Sequence, residues 1–136
     1  MKKLSLVFIA LVVLVIPVSG FTDDFDGSKP LACAVVEVYE CAGGSDCVKG
    51  TAGNFNFPDF VKIDFKKKQL TGKSKNQRVL TSPVATLENQ KGNLILQGFQ
   101  EGRAWNIVID QATGHMTGTV GADEFAFVIF GACIAQ

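Results

Sequence analysis

The chain has 136 residues, with 13 Lys and Arg balanced by 13 Asp and Glu, one His, one Trp and four Cys. That length suits one domain with one modest core. A charge balance this even does not suggest a nucleic-acid binder.

The chain opens MKKLSLVFIALVVLVIPVSG. Lys2 and Lys3 form a short positive region. Leu4 to Ile16 is apolar apart from Ser5, and Val18, Ser19 and Gly20 supply the site where a signal peptidase cuts. Residues 1–20 are therefore predicted to be a secretory signal peptide, since the apolar run is too short to span a bilayer comfortably. No Cys follows it to take a lipid. The mature chain, residues 21–136, then carries 11 basic and 13 acidic side chains, a net charge of −2. It has no transmembrane segment of its own and is expected in the periplasm or secreted. An even number of Cys in an exported chain predicts two disulfides. Four Cys allow three connectivities. The short loop CAGGSDC favours Cys41–Cys47, which leaves Cys33–Cys133 to join the first strand to the last.

Residues 21–32, including FTDDFDGSKP, hold Gly, Pro and several Asp and read as an N-terminal arm. From 33 to 136 the chain reads as one β-domain. CAVVEVYEC is a Val-rich strand ending in AGGSD. In NFNFPDFVKIDF, Val61, Ile63 and Phe65 alternate with Lys62 and Asp64, the period of a half-buried strand. RVLTSPVATLE carries Pro83, which predicts an edge or a bulge. NLILQGF follows the turn ENQKGN. AWNIVID places Trp105, Ile107 and Ile109 on one face. HMTGTV places Met116, Gly118 and Val120 on one face and His115, Thr117 and Thr119 on the other. FAFVIFGACIA is apolar on both faces, which predicts burial on both sides or a cover. Short strands at even spacing predict an all-β fold, an antiparallel meander of seven or eight strands forming a small closed or nearly closed barrel.

IDFKKKQLTG at 63–72 and IDQATGHMTG at 109–118 share Ile-Asp, then five residues, then Leu or Met, Thr, Gly. In each, Ile ends a strand and Asp is placed to accept hydrogen bonds from the turn that follows. Gly114 falls where a positive φ is needed. This is one hairpin design used twice, or the trace of a duplication.

Little in the chain points to catalysis. His115 stands alone on an outward face, and Trp105 on a core face. No Ser, His and Asp pattern is local, and oxidised Cys cannot supply a thiolate. There is no CxxC, and zinc at Cys41 and Cys47 would have to recruit distant partners. GGSDCVKGT has its Lys before the second Gly, unlike a phosphate loop, and DFDGS lacks the downstream Glu of a calcium loop. No metal or cofactor is expected. An enzyme would need carboxylates such as Asp64, Glu88 and Asp110 to converge in a pocket with raised pKa values. Two features remain as candidate partner-binding surfaces. Lys66, Lys67, Lys68, Lys73, Lys75 and Arg78 occupy KKKQLTGKSKNQR without an acid, so a hairpin there would have a basic tip suited to anionic groups, or simply a solvated, aggregation-resistant edge. Phe55, Phe57 and Phe60 cluster in NFNFPDF, as a sticky patch or a lid on a barrel end. Ten Phe in the mature chain predict a filled interior, against a roomy ligand cavity but not against a shallow pocket at one mouth.

Together CAVVEVYEC, FPDFVKIDF, LILQGF, RAWNIVIDQATGHMTG and FVIFGAC resemble an uncharacterised family of short exported bacterial β-rich proteins that end in an FGAC-type strand. The resemblance covers nearly the whole mature chain, and its motifs are structural. It brings no catalytic residues. In size, compartment and the YEC element the chain is more loosely similar to small periplasmic lysozyme-inhibitor barrels, without their inhibitory loop motif. The expected function is that of a small exported non-enzymatic binding protein of the bacterial envelope, acting through its surface or one barrel mouth on a protein or small ligand. The alternative is a protein inhibitor or adaptor of another exported protein.

Overall fold

A computed structural model describes residues 24–136, so the predicted signal peptide lies outside the described residues. Among the described residues nine strands follow one another: β1 (Leu31–Ala42), β2 (Val48–Gly50), β3 (Pro58–Asp64), β4 (Gln69–Ser74), β5 (Val79–Gln90), β6 (Asn93–Gln100), β7 (Arg103–Asp110), β8 (His115–Gly121) and β9 (Phe125–Ala135). A 3-10 turn, Ala52–Phe55, leads into β3. Every pairing is antiparallel. Eight strands, β1 and β3 to β9, form a meander that closes when β9 pairs along the whole length of β1, from Leu31 opposite Ala135 to Ala42 opposite Phe125. Closure leaves the barrel itself no open edge. The short β2 pairs with β1 outside the ring.

Side-chain alternation sets which face is enclosed. Leu31 and Cys33 on β1, Ile63 on β3, Leu94 and Leu96 on β6 and Ile109 on β7 have no solvent exposure. Each fully buried Leu or Ile contributes roughly 1.5–3 kcal/mol. These residues gather toward the end of the barrel where β1 begins and β9 finishes. The arm seals that end. Phe25 packs on the core, its carbonyl accepts a hydrogen bond from Gln111 Nε2 (3.3 Å), and the Pro30 carbonyl accepts one from the Gln136 amide (2.9 Å). The segment predicted as a polar arm is thus a plug, and it ends at Pro30 because β1 already starts at Leu31.

Both disulfides are formed as Cys33–Cys133 and Cys41–Cys47. Cys33 and Cys133 are register partners across the closing seam. The repeated hairpin is repeated in detail. Asp64 Oδ1 accepts a hydrogen bond from the Lys67 amide (3.0 Å), and Asp110 Oδ1 accepts one from the Thr113 amide (2.8 Å). Lys68 and Gly114 hold the matching left-handed position, at φ +50° and +73°. Ile63 then faces Leu70 across one hairpin as Ile109 faces Met116 across the other. Pro83 lies beside a register shift in β5 between Val84 and Thr86, as its missing N–H requires.

One expectation fails. β9 is neither buried on both sides nor covered. Phe127, Ile129 and Cys133 point inward, whereas Phe130 and Ile134 are exposed. A closed barrel encloses only its inner face, so an apolar strand in it keeps an apolar outer row.

Candidate functional site

The end opposite the arm is hollow. There the barrel holds a cavity of about 580 Å³. Its wall is mostly apolar, formed by Val35, Val61, Leu70, Ile107, Met116 and Ile129 with the rings of Phe55, Phe57, Trp105, Phe125 and Phe127. The expectation of a filled interior is therefore corrected: one half is packed and the other is open. The cause is strand parity. Phe60, Phe99 and Phe130 fall on outward positions, so these three rings add nothing to the interior.

Local chemistry holds the wall in shape. Phe127 is the hub of an edge-on cluster, with ring centroids 4.9 Å from Phe57, 5.3 Å from Phe125 and 5.7 Å from Phe55. Phe55 and Phe57 reach it because the 3-10 turn is closed by a reciprocal cap between Thr51 and Asn54, and Asn56 then turns the chain at φ +57°. Two strands along the wall from Phe127, beyond Val120 on β8, the Trp105 indole lies against Gly98, its register partner. A Cβ at Gly98 would overlap the indole and sit 2.5 Å from the Pro83 carbonyl oxygen. Trp105 Nε1 donates to Ser82 Oγ at 2.7 Å. Ser82 Oγ donates in turn to the Phe99 carbonyl at 3.4 Å. These interior polar groups satisfy one another, so the wall presents apolar surface. Asn106 Oδ1 is buried and has no hydrogen-bond partner among the described residues.

The mouth carries the charge. Arg78 and Glu101 form an ion pair between the β4–β5 and β6–β7 turns. The Arg103 guanidinium stands 5.7 Å over the Phe125 ring. Glu40, half-buried, lines the cavity from β1. On the outer wall Lys49 pairs with Glu37 and holds that carboxyl below its ordinary range, by a hydrogen bond in the first place.

The structure divides the predicted basic tip. Lys66, Lys67 and Lys68 lie in the β3–β4 turn at the sealed end, whereas Lys75 and Arg78 lie in the β4–β5 turn at the open end. Lys73 is on β4 between them. Six strand residues at roughly 3.3 Å each put about 20 Å between the two groups. Lys67 leans toward Asp64 at 3.9 Å. Of the Phe-rich segment, Phe55 and Phe57 reach the cavity, and Phe60 stands outside, 69% exposed. His115 is exposed on the outer face and Trp105 is in the cavity wall. Asp64, Glu88 and Asp110 do not line the cavity. Asp110 is used in its own turn, where hydrogen bonds from the Thr113 hydroxyl and amide hold its carboxyl below the ordinary value of 3.8. Among the described residues no group of three or more His, Cys, Asp and Glu is placed to hold a metal ion, and no helix is long and apolar enough to cross a membrane.

A second surface extends from Phe60, the one ring of the Phe-rich segment that stands outside. On the outer wall Phe60, Ala34, Ala132 and His115 follow one another in register across β3, β1, β9 and β8. Val36 and Ile134, both 67% exposed, extend the apolar character of this face. The alternation that puts Val61, Ile63, Ile129 and Cys133 inside already puts Phe60, Phe130 and Ile134 outside.

No family model, curated protein or solved structure matches the chain. Its functional reading therefore rests on the cavity and the surface just described.

Proposed function

We propose that the protein is a small exported non-enzymatic binding protein of the bacterial envelope, periplasmic or secreted, that takes a mostly apolar small ligand into the barrel through its open mouth. The cavity carries this reading. Its volume lies within the range of small-molecule sites, and such sites combine an apolar wall with a few polar groups at one end. The signal-like leader and the two disulfides support export. The test is titration with N-phenyl-1-naphthylamine, a neutral probe that fluoresces in apolar sites. One saturable site is expected, lost when Ile107→Trp fills the cavity and kept when Phe60→Ser alters the outer face. Binding that ignores Ile107→Trp and disappears with Phe60→Ser would place the ligand on the outer wall and refute the reading.

The exposed row through Phe60 and Ile134 favours a second reading, a protein inhibitor or adaptor acting through its outer face. It predicts that the purified protein slows lysozyme and that Phe60→Ser with Ile134→Ser relieves the effect. Undiminished lysozyme activity at a large excess of the protein would remove the inhibitor version.

A further inference from the structure

Four charged side chains line the cavity mouth: Glu40, Arg78, Glu101 and Arg103. Three of them are engaged. Arg78 and Glu101 pair with each other, and Arg103 rests on the face of Phe125. Glu40 takes part in no ion pair and no side-chain hydrogen bond among the described residues. It points inward because β1 changes phase at a bulge between Val35 and Glu37. After the bulge Val38 is buried, Tyr39 meets Phe130 edge-on outside, and Glu40 returns to the cavity side.

Its neighbour is informative. Glu40 sits directly opposite Phe127 across the closing seam, and both line the cavity. Side chains at opposed positions on one face of an antiparallel pair are in reach of each other. The carboxylate therefore stands next to the hub on which Phe55, Phe57 and Phe125 converge. Ring faces attract cations, and a carboxylate beside them adds the opposite charge. A neutral or anionic ligand that pushed water away from this half-buried carboxylate would leave it without a counter-charge, which is costly. Arg103 is exposed to water and loses less when it lacks an anion.

We propose that the ligand is an organic cation, an amine or quaternary ammonium on an apolar body, with its charge received by Glu40 and the rings around Phe127 and its body in the hollow. This deepens the cavity-binding reading and rests on it. The bulge in β1 is then the device that converts a plain apolar barrel into a charge-selective one.

The experiment compares three probes with the same ten-carbon chain: decyltrimethylammonium, decanol and decanoate. Trp105, the only Trp, lines the cavity and reports binding through its emission. Decyltrimethylammonium should bind about tenfold more tightly than decanol, a difference of about 1.4 kcal/mol, and decanoate should bind most weakly. The ratio of ammonium to alcohol affinity should fall severalfold in Glu40→Gln, and salt should erode it in the wild type. If Glu40→Gln does not fold, the order of the three probes on the wild-type protein decides. Equal binding of ammonium and alcohol would overturn the charge assignment and leave the cavity reading standing. Tightest binding of decanoate would also overturn it and name Arg103 as the anchor. Failure of all three to bind would overturn both.

Discussion

Removing each disulfide separately should expose how unequally the two contribute. Cys33–Cys133 spans 100 residues of chain, and Cys41–Cys47 spans 6. If a cross-link acts by restricting the unfolded chain, loops of these lengths correspond to about 4.7 and about 2 kcal/mol. Cys33 and Cys133 are also buried, so their replacement by Ala leaves a small void that adds to the loss. Cys47 lies exposed at the open end, where nothing collapses around it. The double variant Cys33→Ala/Cys133→Ala should therefore lose at least twice the stability lost by Cys41→Ala/Cys47→Ala. Domains of this size have only about 5–15 kcal/mol in total, so the first variant should approach the threshold of folding. Urea unfolding followed by Trp105 emission measures both. The long-loop variant should show a lower midpoint and a steeper dependence on urea, because its unfolded chain expands more. Equal losses for the two variants, or a larger loss at Cys41–Cys47, would refute the chain-entropy argument and assign the stability to local packing instead.

Gly98→Ala forces a Cβ into the Trp105 indole and the Pro83 carbonyl. It should cost about 1–3 kcal/mol and shift Trp105 emission, and an unchanged spectrum would show that the indole does not lie there. The two matched turns should respond oppositely. Lys68→Gly relieves a left-handed residue and should stabilise by up to about 1 kcal/mol. Gly114→Ala strains the same position and brings a Cβ to 2.5 Å from the Phe25 ring, so thermal unfolding should show a clear loss. Asp110 titrates below its ordinary value in the folded chain, so its contribution is present above about pH 4 and lost as pH falls through the folded value. Asp110→Ala should accordingly flatten the acid limb of a stability-against-pH curve, and an unaltered limb would show that other carboxylates govern it.

Much of this architecture was legible from alternation. Val61 with Ile63, and Ile107 with Ile109, announced inward faces, and the shared Ile-Asp spacing announced two like turns. The number of Phe residues alone predicts a filled interior, and only their parity along each strand reveals the hollow. Phe99 comes one residue after Gly98, the position that faces Trp105, and so must point out. The basic run is contiguous in sequence but not one tip in space, because six of its thirteen residues are themselves the strand β4. The inward turn of Glu40 could not be read, since it depends on a bulge that only pairing with β9 reveals. Docking of Phe25 against Gly114 depends likewise on contacts between distant parts of the chain.

A barrel solid at one end and hollow at the other separates two burdens along a single axis. Substitutions at Leu31, Ile63, Leu94 or Ile109 strike the part that keeps the chain folded. Substitutions at Leu80, Gln100 or Val120 reshape the wall of the hollow and leave those packed layers untouched. If the hollow binds as proposed, such a scaffold can exchange one ligand for another over generations without passing through an unfolded ancestor. The same division makes its open rim the natural place to graft a new specificity.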